Sequence, residues 1–173
     1  MQVTTGLRLV AAAIASLTLA SSCAYTTSSA LLPGHLKSVA IPAFDNQTTE
    51  SSLDREVTDA VIARFVADNH LKVVDERSAN AIVKGRITAY RNAVFGFSQG
   101  AQAQEYRVTL SASVTFKDLV KNRELWSEPD LIKTANYYVV NTPGDSAKTE
   151  LDGRREAIAK LAEEIVARSV EGW

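Results

Sequence analysis

The feature that most constrains the fold is a strictly alternating run of twelve residues, YRVTLSASVTFK, at positions 106–117. Every second residue from Tyr106 to Phe116 is apolar or small, and the residues between them are polar or charged. Successive side chains of a strand point to opposite faces of a sheet, so this pattern buries one face and leaves the other polar. A strand of this kind indicates an antiparallel or mixed sheet that is covered on one side only.

A second alternating run, IVKGRITAY at positions 82–90, predicts a neighbouring strand. Its expected buried face carries Val83, Gly85, Ile87 and Ala89, and its expected polar face carries Lys84, Arg86, Thr88 and Tyr90. Further extended segments are predicted at 36–44, 71–74, around 125–126 and at 131–140, with Pro42 confining the first to a sheet edge or a strand end. A long hairpin connection is expected between the two alternating runs, and turns are expected at 121–122 and around Pro129.

Two amphipathic helices are predicted from apolar residues that recur every three or four positions. The first covers about 52–68 and starts with a capping box from Ser51 to Asp54. The second runs from Thr149 to about Val170. Its stable part is expected to begin near Arg154, because Gly153 weakens the first turn. Because the first helix lies between two extended segments, it forms a βαβ unit.

These elements predict an α+β fold, a two-layer sandwich with a mixed or antiparallel sheet of about four to five strands and two helices on one face. Its core should join the long strand to both helices. The residues expected to meet there are Leu110, Val114, Val61, Phe65, Leu161 and Ile165.

The N-terminus predicts export from the cytoplasm. Arg8 precedes the apolar run LVAAAIASLTLA at 9–20, which is too short to cross a bilayer and is typical of a secretory signal. The sole cysteine, Cys23, ends the segment LASSC, which resembles the lipobox of bacterial lipoproteins. We therefore expect a lipoprotein signal peptide over 1–22, lipid attachment at Cys23, an acylated tether over 23–36 and a single domain over 37–173. The alternative is ordinary secretion with cleavage after residue 24.

Composition and motifs argue against several classes of function. The formal net charge is -1 and lysines and arginines form no cluster, so we expect no nucleic-acid partner. His35 and His70 lack metal-ligand spacing, and the common hydrolase, metalloprotease and phosphate-loop motifs are absent. We therefore predict no catalytic residues, no metal and no cofactor, with a secreted enzyme of unrecognised site as a remote alternative.

Three segments together resemble the LptE family of lipopolysaccharide-assembly lipoproteins: KSVAIPAFDNQT at 37–48, YRVTLSASVTFKD at 106–118 and RREAIAKLAEEIV at 154–166. The resemblance implies a sheet with two helices on one face and a location at the periplasmic side of the outer membrane. It also implies two partners, an LptD-like outer-membrane β-barrel that the protein plugs and lipopolysaccharide, and it brings no catalytic residues.

The polar face of the predicted sheet is the candidate contact surface. Lys84, Arg86 and Arg107 lie on it, and such side chains pair well with the phosphates of lipopolysaccharide. The alternative is that these side chains only solvate an open face. A different role also stays open, in which a similar lipoprotein domain activates or scaffolds another envelope machine.

Overall fold

The computed structural model describes residues 32–97, 103–141 and 146–171, so the predicted signal peptide and Cys23 lie outside the described residues. Two helices and six strands are described, with a short 3-10 turn at Glu76–Ser78. In chain order they are β1 (Ser38–Ala40), β2 (Asp45–Asn46), α1 (Leu53–Asp68), β3 (Lys72–Val73), β4 (Ala81–Phe97), β5 (Ala103–Asp118), β6 (Arg123–Tyr138) and α2 (Glu150–Val170).

The strands form one mixed sheet in the order β3-β1-β4-β5-β6, and β2 pairs with β4 beside β1. β1 runs parallel to β3 and β4, which confirms the βαβ unit, whereas β4, β5 and β6 form an antiparallel meander. The predicted α+β fold class is confirmed. Three of the six strands have three residues or fewer, and the long meander supplies most of the sheet.

Both helices pack on the same face of the sheet, and the predicted core forms there. Leu110 and Val114 of β5 are fully buried, and they share one apolar cluster with the residues predicted on the helices. Those residues, likewise fully buried, are Val61, Phe65, Leu161 and Ile165. The period-two and helical patterns thus identified the correct faces of β5 and of both helices.

The helix starts differ from the expectations. The predicted capping box from Ser51 to Asp54 is wrong, because Ser52 is the N-cap residue, with φ 67°, and makes no side-chain cap hydrogen bond. The second helix is instead the one with a capping box, between Thr149 and Asp152. It therefore starts at Glu150, a full turn before the expected firm region.

Gly153 does not weaken that first turn; it allows close packing of α2 on the sheet. A Cβ at this position would lie 2.7 Å from the ring of Tyr137 and 3.2 Å from Val108. The capping box and this close contact together explain why the helix is regular through a residue of low helix propensity.

A β-bulge in β4 overturns part of the predicted alternation. Ile87 pairs with Ala112 but Ala89 pairs with Ser111, so Thr88 is an extra residue without a partner. A bulge of this kind moves every later side chain to the other face. As a correction, Ala89 is therefore on the open side, and Tyr90 faces the helices.

The predicted turn around Pro129 is also wrong, because β6 runs through it as one strand. Val114 pairs with Glu128 and Ala112 with Leu131, so the register shifts across Pro129. β6 is an outer strand of the sheet, and a bulge on such an edge tolerates the missing N–H of proline. The first strand is likewise shorter than predicted and ends at Ala40, two residues before Pro42.

Candidate binding face

The open face is the side of the sheet that the helices leave uncovered. Hydroxyl side chains line its centre on β5, and the Thr115 and Ser127 hydroxyls lie 3.1 Å apart across the β5–β6 pair. Cationic side chains surround this centre. They are Lys84, Arg86 and Arg91 on β4 and Arg107 and Lys117 on β5.

A groove of about 490 Å³ opens at one end of this face, beside β2. We call it the proximal groove; it is lined by Pro42, Ala43, Asp45, Glu76, Lys84, Gly85, Arg86, Ser113 and Thr115. Arg86 Nε donates to Asp45 Oδ2 at 3.0 Å, and this exposed ion pair forms one wall. Lys84 is exposed and has no ion-pair partner among the described residues, so its ammonium is available to an anionic ligand.

The contact between Gly85 and Phe44 determines the position of the groove wall that the Arg86–Asp45 ion pair forms. The ring of Phe44 lies directly against Gly85, where a Cβ would come within 1.9 Å of a ring carbon. The Phe44 N–H also donates to Thr58 Oγ1 at 3.0 Å, which ties this residue to α1. Because Phe44 immediately precedes β2, these two contacts place Asp45 beside Arg86.

A second, amphipathic region lies at the far end of the open face. We call it the distal patch; it comprises Phe95, Phe97, Glu105, Arg107, Asn136 and Tyr138. The Arg107 guanidinium lies 3.4 Å from the centroid of the Phe95 ring, a cation–π contact, and its Nε donates to Asn136 Oδ1 at 2.8 Å. Asn136 Nδ2 in turn donates to Glu105 Oε1 at 2.9 Å. Phe97 is 67% exposed, so the patch offers an apolar surface next to a fixed cation.

The three predicted contact residues all lie on the open face, but they do not form one site. Arg86 of β4 pairs with Ser113 of β5. Arg107 also lies on β5, six residues before Ser113. At about 3.4 Å per residue the two guanidinium-bearing positions are about 20 Å apart. Lys84 and Arg86 therefore belong to the proximal groove, and Arg107 belongs to the distal patch.

The aromatic part of the distal patch was not predicted from the sequence. Phe95 and Phe97 are on β4, Arg107 on β5 and Asn136 on β6, and only the register of the three strands brings them together. The segment VFGF at 94–97 was a usable signal, since two phenylalanines beside a glycine in a connection have no obvious place in the core.

Tyr90 belongs to a polar cluster on the helix side that the sequence did not reveal. Its hydroxyl donates to Glu150 Oε1 at 2.8 Å, and burial raises the pKa of Tyr90 to about 12. Arg154 lies over the Tyr90 ring and forms ion pairs with Glu50 at 2.9 Å and with Glu56 at 3.6 Å. The hydrogen bonds and ion pairs of the cluster are made among its own members. They join the sheet to both helices and to the loop after β2.

Metal-binding clusters and membrane-spanning helices are both absent from the described part of the chain. Within residues 32–97, 103–141 and 146–171, no three His, Cys, Asp or Glu side chains are placed to hold a metal ion. None of the helices in those ranges is long and apolar enough to cross a membrane. The cations, hydroxyls and aromatic rings of the described open face are groups that can bind a ligand.

The fold and the open face define this protein as a two-layer α+β domain whose uncovered sheet face carries cations, hydroxyls and aromatic rings. Several solved structures are similar to it in fold, and three of them follow. Protein XCC0632 from Xanthomonas campestris has a TM-score of 0.53 and 11% identity, covering 78% of this chain and 83% of that one. The hypothetical protein CT253 from Chlamydia trachomatis has a TM-score of 0.52 and 13% identity, covering 77% and 95%. A point variant of the PelC dodecamer from Paraburkholderia phytofirmans has a TM-score of 0.50 and 11% identity, covering 79% and 90%.

The chain belongs to the LptE family. The sequence model of this family, described as "LptE: Lipopolysaccharide-assembly", matches residues 36–169 and so covers most of the chain. This match confirms the resemblance found in the three sequence segments. A comparison with curated proteins gives no match.

Proposed function

We propose that this protein is a lipid-anchored, non-catalytic component of the lipopolysaccharide translocon in the outer membrane. The observation that carries the proposal is the match of the LptE family model to residues 36–169. In this role the domain assists assembly of an LptD-type β-barrel and plugs it during lipopolysaccharide export. The protein acts by binding, and it needs neither a metal nor a cofactor.

The anchor in this proposal is Cys23. Residues 1–22 act as the signal peptide, and acylated Cys23 holds the domain at the periplasmic side of the membrane through a short tether. Each buried methylene of an acyl chain contributes about 0.8 kcal/mol to membrane binding. Cys23→Ala should therefore release a folded domain into the soluble periplasmic fraction, and recovery of unmodified Cys23 from extracted membranes would contradict the anchor.

The open face supports the proposed contact with lipopolysaccharide. Lys84 and Arg86 at the proximal groove can pair with phosphates, and the nearby Ser113 and Thr115 hydroxyls can donate further hydrogen bonds. At the distal patch, Arg107 offers a cation beside the exposed Phe95 ring, which suits a ligand that is both anionic and apolar. Lipopolysaccharide has both properties.

The test is a triple charge reversal on the open face, with Lys84, Arg86 and Arg107 all replaced by Glu. Binding of lipopolysaccharide or co-purification of the barrel should weaken, and the loss should be larger at low salt because exposed charges are then less screened. The thermal midpoint should barely change, since exposed ion pairs such as Arg86–Asp45 contribute only about 0–1 kcal/mol.

A matched control reverses three exposed cations on the helical layer, Arg55, Arg64 and Arg155, and changes net charge equally. If the control binds as the parent does, the weaker binding of the triple variant is due to the open face and not to the change in net charge. Unchanged binding by the open-face variant in both assays would remove this face from the proposal. If the parent itself recovers no outer-membrane barrel, the translocon role fails and the envelope-activator alternative is favoured.

A further inference from the structure

The turn between β5 and β6 presents two apolar side chains to solvent on a rigid backbone. Asp118 is fully buried, and its Oδ1 accepts the N–H groups of Val120 and Lys121, each at 2.9 Å. The Leu119 N–H donates to the Asn80 carbonyl oxygen at 2.8 Å. With its backbone fixed in this way, the turn leaves Leu119 36% and Val120 60% exposed.

The same turn holds the N-terminal end of the domain. His35 Nε2 donates to Asp118 Oδ2 at 2.7 Å, and the Leu36 N–H donates to the Pro33 carbonyl oxygen at 2.8 Å. His35 and Leu36, assigned to the tether by the sequence, thus contact the domain, and Leu36 is buried. Leu32 follows Cys23 by nine positions, so the proposed anchor lies within roughly 30 Å of this end of the domain.

Cations flank the exposed apolar pair. Lys117, Lys121 and Arg123 are its neighbours in the sequence, and the Asp118 carboxylate is turned inward, where it accepts hydrogen bonds from the turn and from His35. Glu124 pairs with Lys117 across the strands and is the acid nearest in sequence on the exposed side. Apolar side chains among lysines and arginines are the composition of segments that bind to the surface of anionic membranes.

We propose that residues 117–123 form a second membrane contact, with an anionic phospholipid leaflet as its ligand. This inference rests on the proposed function in one respect: the lipid anchor at Cys23 brings this end of the domain to the membrane. Val120 and Leu119 enter the headgroup region, and Lys121 pairs with lipid phosphates. In the proposed plug, this end of the domain then lies at the periplasmic rim of the barrel, beside the leaflet that holds the anchor, and the distal patch lies at the opposite end.

The first experiment measures binding of the mature chain carrying Cys23→Ala to vesicles of phosphatidylglycerol mixed with phosphatidylcholine. This chain has no anchor, so the result does not depend on whether Cys23 is lipidated. The parent should bind weakly and lose binding as salt rises. Val120→Ser with Lys121→Glu should bind at least about tenfold more weakly, because each surface cation contributes measurably to binding an anionic leaflet.

A matched control places two equivalent changes on α1, at Val66, which is 61% exposed, and at the exposed cation Arg55. Val66→Ser with Arg55→Glu should bind vesicles as the parent does, and both variants should keep the parental thermal midpoint. Equal binding by the turn variant and the parent would overturn the proposal. Loss of barrel co-purification by the turn variant, without any loss of vesicle binding, would also overturn it and assign the turn to a protein partner.

The second experiment locates the turn relative to the membrane in the lipidated protein. Because the sequence has one cysteine, and the proposal acylates it, Val120→Cys and Val66→Cys each add a single site for a fluorescent label. Spin-labelled phospholipids should quench the label at position 120 several-fold more than the label at position 66. Equal quenching at the two positions would contradict a membrane-facing turn.

Discussion

Gly85→Ala tests how the proximal groove is built, because the ring of Phe44 occupies the space that a side chain would need. The added Cβ would lie 1.9, 2.2 and 2.4 Å from three carbons of that ring, whereas ordinary contact begins near 3.4 Å. The ring or the strand must therefore move by about 1.5 Å. Phe44 is buried at the base of β2, so this movement disturbs the core and the Arg86–Asp45 pair together.

The expected loss in the free energy of unfolding for Gly85→Ala follows from two limits. Forcing an extra methyl group into a packed core costs about 1–3 kcal/mol, and losing the packing of a buried phenylalanine costs about 3–5 kcal/mol. The overlap involves three ring atoms of a buried side chain, so we expect about 3 kcal/mol for Gly85→Ala, where the two ranges meet. Urea unfolding of the mature domain measures this free energy directly.

A double-mutant cycle attributes the loss to the ring. Phe44→Ala removes the obstacle, so adding Gly85→Ala to it should cost less than about 1 kcal/mol, and the two losses should not add. Gly34→Ala is the control, since no atom lies within 4 Å of its built Cβ, and it should not destabilise the domain. A loss below about 1 kcal/mol for Gly85→Ala alone, or strict additivity with Phe44→Ala, would refute this account of the groove.

Three further predictions concern the core, the turn and the buried tyrosine. Leu161→Ala should lower the free energy of unfolding by about 2–5 kcal/mol, whereas Thr109→Ala on the open face should change it by less than about 0.5 kcal/mol; equal losses would mean that the faces are wrongly assigned. Burial by itself raises the pKa of Asp118, but hydrogen bonds from the turn and from His35 outweigh burial and hold that pKa below its ordinary value. The stabilisation is therefore present above about pH 4 and is lost as pH falls through the folded-state pKa, so acid titration should destabilise the parent more than Asp118→Asn. Because burial raises the pKa of Tyr90 to about 12, Tyr90→Phe should remove a tyrosinate absorbance step near pH 12 from an alkaline titration of the folded protein.

The layers of this fold could be predicted from the sequence because their signals are local. The alternation over 106–117 fixes the two faces of β5, and helical spacing fixes the buried sides of α1 and α2. These patterns reflect burial, and burial of the residues concerned is what the structure confirms.

The errors have a different origin, in pairing between strands. The run ITAY at 87–90 continues the alternation without interruption, and only its register against β5 makes Thr88 an extra residue and turns Tyr90 inward. Pro129 looks like a turn residue until its place on an outer strand is known, where a proline bulge is tolerated. The local sequence predicts neither the register of β4 against β5 nor that of β5 against β6.

The candidate site was found only in part for the same reason. Lys84, Arg86 and Arg107 follow from alternation, so their placement on the open face was predictable. Their division between two places, with Phe95 beside Arg107, depends on contacts between distant segments. The His35–Asp118 contact spans 83 residues and likewise has no sequence signature.

We propose above that this LptE-family protein works as a lipid-anchored part of an outer-membrane lipopolysaccharide translocon. The most direct measurement is mass spectrometry of partners cross-linked in intact membranes, with a photoreactive residue at Thr109 on the open face. We expect to recover an LptD-like outer-membrane β-barrel, lipopolysaccharide or both from this position. Recovery of neither, with another envelope assembly captured instead, would contradict it.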